Sequence, residues 1–190
     1  MSRIIFERYS KQMIHLLHER NWDDVLELAT ALRDIWRTKG QLLICGNGGS
    51  AGNAIHLAND FLFGIAKDKS TNGMRVEALS ANTSVITCLA NDIGYEEIYS
   101  VQIETKGRKG DVLLVLSGSG NSPNIVRALE AGKKIGMRTF AILGYTGGRC
   151  KGLADVPIHF AINDMQISED LQLIVGHMCM QWLSLGNANN

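Results

Sequence analysis

Gln41-Leu-Leu-Ile-Cys-Gly-Asn-Gly-Gly-Ser-Ala-Gly-Asn-Ala-Ile-His-Leu-Ala-Asn-Asp60 is the stretch whose reading decides the fold. It opens with an apolar run short enough for a buried strand and breaks at Gly46-Asn47-Gly48-Gly49-Ser50. It then resumes with helical spacing through Ala54, Leu57, Ala58 and Phe61. The pattern predicts strand, tight loop, helix. Glycines let the backbone approach a ligand closely, and the N–H groups at the start of a helix attract anions, so the loop reads as a phosphate cradle. On the same helix His56 and Asp60 are four residues apart and project from one face. The glycines are spaced G-x-G-x-x-x-G, not G-x-G-x-x-G, and no acidic residue closes a second strand where a dinucleotide fold needs one. No G-x-x-x-x-G-K-[ST] motif occurs.

The loop motif repeats. Residues 111–116 form a second apolar strand that runs into Ser117-Gly118-Ser119-Gly120-Asn121-Ser122, with Pro123 at the first turn of another helix. Three hydroxyls and several N–H groups within six residues form a better phosphate site than the first loop, because serine donates to phosphate oxygens while glycine keeps the backbone close. Further strands are expected over 75–79, 139–143 and 156–160. Strands alternating with helices, several of them continuously apolar, indicate an α/β domain: a doubly wound, five-stranded parallel sheet covered on both faces. Ligands in such sheets bind at the carboxyl ends of the strands, where both loops fall.

Working outward to the amino terminus, residues 4–17 carry Ile5, Tyr9, Met13, Leu16 and Leu17 on one stripe. Residues 22–36 repeat it with Val25, Leu26, Ala29, Leu32 and Trp36, and Asn21 is a candidate N-cap. This helical hairpin, residues 1–38, either covers an edge of the sheet or packs against the same hairpin of another subunit. The polar segment 67–73 reads as an exposed loop. Asn82 caps a short helix reaching Ala90, and Asn91-Asp92 reads as a turn before a further helix from Tyr95. The last helix is expected from Ser168 to Leu185, with Leu171, Ile174, Val175, Met178 and Trp182 inward. Glu169 and Asp170 then lie in its first turn, where the dipole favours them, and His177 interrupts the stripe.

At 190 residues, with 45% hydrophobic residues and 2 prolines, the chain is expected to form one domain with a sizeable core. Zero formal net charge leaves no electrostatic footprint for nucleic acid or an anionic membrane. No apolar run spans a bilayer and no signal-peptide pattern opens the chain, so a cytoplasmic protein is expected. Cys45, Cys88, Cys150 and Cys179 are widely spaced and read as reduced thiols, not as a disulfide or zinc framework.

Taken as a set, Cys-Gly-Asn-Gly-Gly-Ser (45–50), His56, Leu-Ala-Asn-Asp (89–92), Gly-Asp-Val-Leu-Leu (110–114), Ser-Gly-Ser-Gly-Asn-Ser (117–122), Thr-Gly-Gly (146–148) and His177 resemble the sugar isomerase (SIS) domain family. Within it, the likeness is to the enzymes that interconvert sedoheptulose 7-phosphate and D-glycero-D-manno-heptose 7-phosphate. The resemblance implies a flavodoxin-like SIS domain over 39–190 and a homotetramer built through the amino-terminal helices. It implies sugar-phosphate contacts at Asn47, Gly48, Gly49, Ser50, Asn91, Asp92, Ser117, Gly118, Ser119 and Ser122. It also implies a catalytic and divalent-metal cluster, zinc-like and one ion per subunit, at His56, Asp60, Glu169 and His177. Asp60 and Glu169 stand where the family has Glu and Gln, and Phe63-Gly64-Ile65 replaces a stretch that commonly carries a basic residue.

Aldose–ketose interconversion moves a proton between adjacent carbons, which needs a base, a partner acid and a group to hold charge on oxygen. Asp60 is the expected base and His177 the expected acid. Glu169 and His177 are eight residues apart, about 12 Å along a helix, which makes a shared ion hard for both to reach. The alternatives are a non-catalytic SIS module that binds sugar phosphates or a replication-initiator-type protein partner, and an isomerase of another phosphorylated ketose. A pure scaffold has no need of both histidines.

Overall fold

The computed structural model describes residues 2–18, 20–66 and 72–186. Helices α1 (Ser2–His18) and α2 (Asp23–Thr38) precede strand β1 (Gln41–Gly46) and helix α3 (Gly49–Asn59), which continues into a π-helical turn, Asp60–Gly64. Then come β2 (Arg75–Ala78), α4 (Thr83–Asp92), a 3₁₀ turn at Tyr95–Glu97, α5 (Ser100–Lys106) and β3 (Val112–Ser117). The chain closes with α6 (Pro123–Ile135), β4 (Arg138–Leu143), α7 (Gly148–Leu153), β5 (Val156–His159) and α8 (Met165–Gly186).

The five strands form one all-parallel sheet in the order β2-β1-β3-β4-β5. Strand residues alternate between two cores. Leu42, Ile44, Leu114, Phe140 and Ile142 face α2, α3 and α8, with α1 packed over them through Tyr9, Met13, Leu16 and Leu17. Leu43, Cys45, Leu113, Val115 and Leu143 face the side covered by α5, α6 and α7. Burial on both faces is what the continuously apolar strands require. Because β1 is followed outward by β2 and the chain then returns to β3, the strand order reverses between β1 and β3. The crevice beside that reversal is where open α/β sheets bind ligands.

Several expectations shift in detail. In α2 the inward face is Val25, Leu28, Ala29, Leu32 and Ile35, while Leu26 is exposed. Asn21 accepts a hydrogen bond from the Asp23 amide at 2.8 Å, although the residue flanking the helix is Trp22. Ile5 is likewise exposed on α1. Asn91 and Asp92 are not a turn between helices: they form the last turn of α4, and only a 3₁₀ turn separates it from α5. Helix α8 begins three residues before Ser168 because Asp164 accepts from the Ile167 amide at 3.1 Å, which places Glu169 and Asp170 in the second turn. Its buried apolar positions are Ile167, Leu171, Val175, Cys179 and Leu183, and Met178 points outward. Of the expected loop 67–73, residues 67–71 lie outside the described residues.

The Tyr9 hydroxyl donates to the Asp170 carboxylate and pins α1 to α8. Burial first, then the Asp170 bond and charge, push the phenol up to about 12, so it stays protonated. All four cysteines are free. Burial raises the Cys45 thiol, and raises Cys150 to about 11 and Cys179 to about 12, as expected of packing thiols rather than nucleophiles.

Candidate active site

Strand β1 delivers Asn47, Gly48, Gly49 and Ser50 to the start of α3, and β3 delivers Ser117, Gly118, Ser119 and Ser122 to the start of α6. The register pairs Gly46 with Leu116, so the two loops leave adjacent strands at the same level and line one cleft. Ser117 Oγ accepts from the Gly120 amide at 3.1 Å, and Ser119 Oγ accepts from the Asn121 amide at 3.3 Å. Both hydroxyl hydrogens are thereby left to donate to a ligand, because the backbone bonds use only acceptor lone pairs. Ser122 flanks α6 without closing a side-chain cap, so its hydroxyl is available too.

Glu169 reaches this cleft from α8. Its carboxylate lies against Gly49 so closely that a Cβ at position 49 would stand 2.4 Å from Oε2, and only glycine admits this approach. The first turn of α3 is electrostatically suited to a carboxylate. Behind it, Asn53 donates to the Glu169 carbonyl and to Gln172 Oε1, each at 2.9 Å, and the buried Gln172 donates to Ser50 Oγ at 2.9 Å. This chain of amides stitches α3 to α8.

About two turns into α3, His56 meets Asp60 and His177. The two Nε2 atoms are 3.0 Å apart, and each lies 3.3 Å from Asp60 Oδ2. Asp60 opens the π-helical turn, an irregularity frequent at functional sites, and is the least exposed of the three. These residues form the one group of metal-ligand side chains found among the described residues. Two imidazoles and a carboxylate suit zinc, and at Zn–N and Zn–O lengths of about 2.0–2.1 Å the edges of a tetrahedron are about 3.3 Å, close to the observed separations. Glu169 is not part of this triangle, as the eight-residue spacing on α8 foreshadowed.

Asn91 and Asp92 are exposed and do not line the cleft between the loops. Asn91 donates to Asp92 Oδ1 at 2.7 Å and Cys88 to Oδ2 at 3.4 Å, and these bonds, Asn91 first, hold the Asp92 carboxyl below its ordinary value.

Two residues at the cleft escaped the sequence reading. Asn124, in the first turn of α6, exchanges two hydrogen bonds with Asn47, at 2.9 and 2.8 Å, and Tyr95 donates to Asn47 Oδ1 at 3.2 Å. Asn124 followed the Ser/Gly motif and carried no spacing signal of its own; only the neighbouring loop gives it a partner.

The chain is similar to known proteins over most of its length. The SIS domain profile matches residues 5–144. A phosphoheptose isomerase from Chlorobaculum parvum is 36% identical over 183 residues, covering 94% of this chain and 87% of that protein. One from Helicobacter pylori is 36% identical, covering 88% and 79%. Among solved structures, phosphoheptose isomerase from Neisseria gonorrhoeae superposes with a TM-score of 0.87 at 26% identity over 95% of each chain. The Francisella tularensis enzyme shares the fold with a TM-score of 0.90 at 22% identity over 96% of each chain. The domain match over most of the chain and relatives of this identity and coverage show that this chain belongs to the SIS domain family, beside the phosphoheptose isomerases.

Proposed function

We infer that this protein is an aldose–ketose isomerase that converts sedoheptulose 7-phosphate into D-glycero-D-manno-heptose 7-phosphate, a precursor for heptose-containing surface polysaccharide. The observation that carries the reading is the placement of a phosphate cradle at the start of α3 and of His56 and Asp60 at its end, where His177 of α8 joins them. Gly49 and His56 are seven residues apart on α3, about 10 Å. That matches the span of an extended seven-carbon sugar from its phosphate to its carbonyl.

In this reading the Ser117 to Ser122 loop and the amides of Gly48 and Gly49 grip the phosphate and use its binding energy to position the reacting carbons. The Asp60 carboxylate removes a proton from C1. The C1–H electron pair becomes the C1–C2 double bond, and the carbonyl pair moves to O2, which takes a proton from His177. Return of a proton to C2, with loss of the O1 proton, leaves the aldehyde at C1. Asp60 Oδ2 faces the imidazoles, whereas among the described residues Oδ1 has only a 3.4 Å contact from Asn59 and is the oxygen that takes the proton. His56 and His177 through Nε2 and Asp60 through Oδ2 would hold a zinc ion, which would supply a Lewis acid to polarise the carbonyl; with Nε2 so engaged, the proton that His177 gives is the one on Nδ1. The Glu169 carboxylate, opposite the serines, contacts sugar hydroxyls. The roles of Asn91 and Asp92 as sugar contacts rest on the family resemblance.

The protein acts as a cytoplasmic homotetramer in this reading. No helix among the described residues is long and apolar enough to cross a membrane. Ile4, Phe6 and Ile14 of α1 are each at least 63% exposed, and α4 has no buried residue, leaving apolar surface for subunit contacts. Incubating the protein with sedoheptulose 7-phosphate, before and after chelator treatment and zinc restoration, tests the proposal. Aldose product that disappears with chelator and returns with zinc is expected. Absence of product under every condition refutes the enzyme assignment.

A further inference from the structure

We propose that Asn124 is a positioning residue that fixes the spacing of the two ligand loops through its side-chain pair with Asn47. The inference rests on the isomerase reading above and deepens it. The amides of Asn47 and Asn124 form a closed ring of two hydrogen bonds, 2.9 and 2.8 Å, from the β1 loop to the first turn of α6. Asn124 is 1% exposed, so neither bond can be replaced by water without rearrangement. Asn47 Oδ1 also accepts from Tyr95, and one turn further on Tyr99 donates to the Gly46 carbonyl. The Tyr95–Tyr99 segment is thus strapped to the same stretch, and two separate pieces of chain, this segment and the start of α6, converge on Gly46 and Asn47.

The ring has a chemical consequence for Asn47. Its carbonyl oxygen carries two donors and one of its two N–H groups is given to Asn124. The side chain is held in one orientation, with a single N–H left over for a ligand oxygen. Asn124 therefore touches no substrate; it acts through Asn47 and through the helix turn that follows Ser122. A polar pair in a buried position stabilises less than apolar packing of the same volume, but it permits only one relative placement of the loops. A phosphate gripped by serines from one loop and amides from the other requires such a placement before it binds.

The test compares the intact enzyme with Asn124→Ala, Asn47→Ala and the double variant, reading kcat, KM for sedoheptulose 7-phosphate and inhibition by inorganic phosphate. Removing one partner of a buried hydrogen-bonded pair predicts that Asn124→Ala raises KM and the phosphate inhibition constant together by about tenfold, with kcat within about threefold. In the double variant the two losses fail to multiply, the signature of residues acting through one contact. If Asn124→Ala does not fold, Asn124→Asp keeps the volume while turning one donor into an acceptor, and the same parallel rise is expected. A lowered Tm with unchanged KM and phosphate inhibition, or losses that multiply in the double variant, overturns the proposal. A wild-type protein that binds neither sugar phosphate nor inorganic phosphate overturns the isomerase reading and this proposal with it. Wild-type binding matched by Asn124→Ala overturns the loop coupling alone.

Discussion

At the scale of single residues, the two carboxylates of the site occupy different environments. Asp60 sits between two imidazoles, 3.3 Å from each, whereas Glu169 faces the glycine-rich turn and the serine loop. In the proposed reaction, moving a proton falls to the first, because His177, the group that protonates O2, is in contact with it. Contacting a hydroxylated ligand suits the second, which lies where the two loops meet. Asp60→Asn keeps the volume and removes the base, so turnover should fall by at least about a thousandfold while sugar-phosphate affinity stays within a few fold. Steady-state kinetics together with calorimetric titration of the substrate check both halves, and retained turnover would remove Asp60 from the base role.

At the scale of elements, the π-helical turn at the end of α3 ties the cluster to the sheet. The Met74 amide donates to the Phe61 carbonyl at 2.9 Å, joining the residue before β2 to that turn. Gly73 lies so close that an added Cβ would fall 1.4 Å from the Leu62 oxygen. Gly73→Ala must therefore push the turn that begins at Asp60. Overpacking of this kind costs about 2–3 kcal/mol, which for a chain of this length lowers Tm by about 5–10 °C. Because the displaced turn carries Asp60, kcat should drop as well, with KM less affected. Thermal melts and kinetics of the same preparation test this, and an unchanged Tm would mean the contact is easily relieved.

At the scale of the whole molecule, acid sensitivity should come from the far edge of the sheet as well as from the site. Asp155, just before β5, accepts from the Thr139 amide at 2.9 Å and from its hydroxyl at 2.8 Å, and Lys133 lies 3.3 Å away. Burial works against its charge, but the Thr139 bonds and Lys133 outweigh it, and the carboxyl is held below its usual range. A carboxyl lowered by folding stabilises the folded state above its unfolded pKa of about 4, and that contribution is lost as pH falls through the folded value. Asp155→Asn should lower Tm by about 2–4 °C at neutral pH, the effect of roughly 1 kcal/mol. The gap to wild type should close as pH drops below 4. Melting curves from pH 7 to pH 3 report it, and a gap independent of pH would assign the loss to packing.

The amino-acid sequence by itself determined the layers, the alternation of strands and helices and the two glycine-and-serine loops, because hydrophobic period and turn chemistry are local properties of neighbouring residues. It also placed His56 beside Asp60, since helical spacing alone brings residues four apart together. Contacts between distant segments were decided only by the tertiary structure. It turned α8 so that His177, 121 positions from His56, completes the triangle. It left Glu169 with the loops, and it started α8 three residues early, behind an Asp164 cap. It also gave Asn124 its partner in Asn47. Pairings across such separations depend on which elements the sheet order makes neighbours, and no periodicity within either segment encodes that.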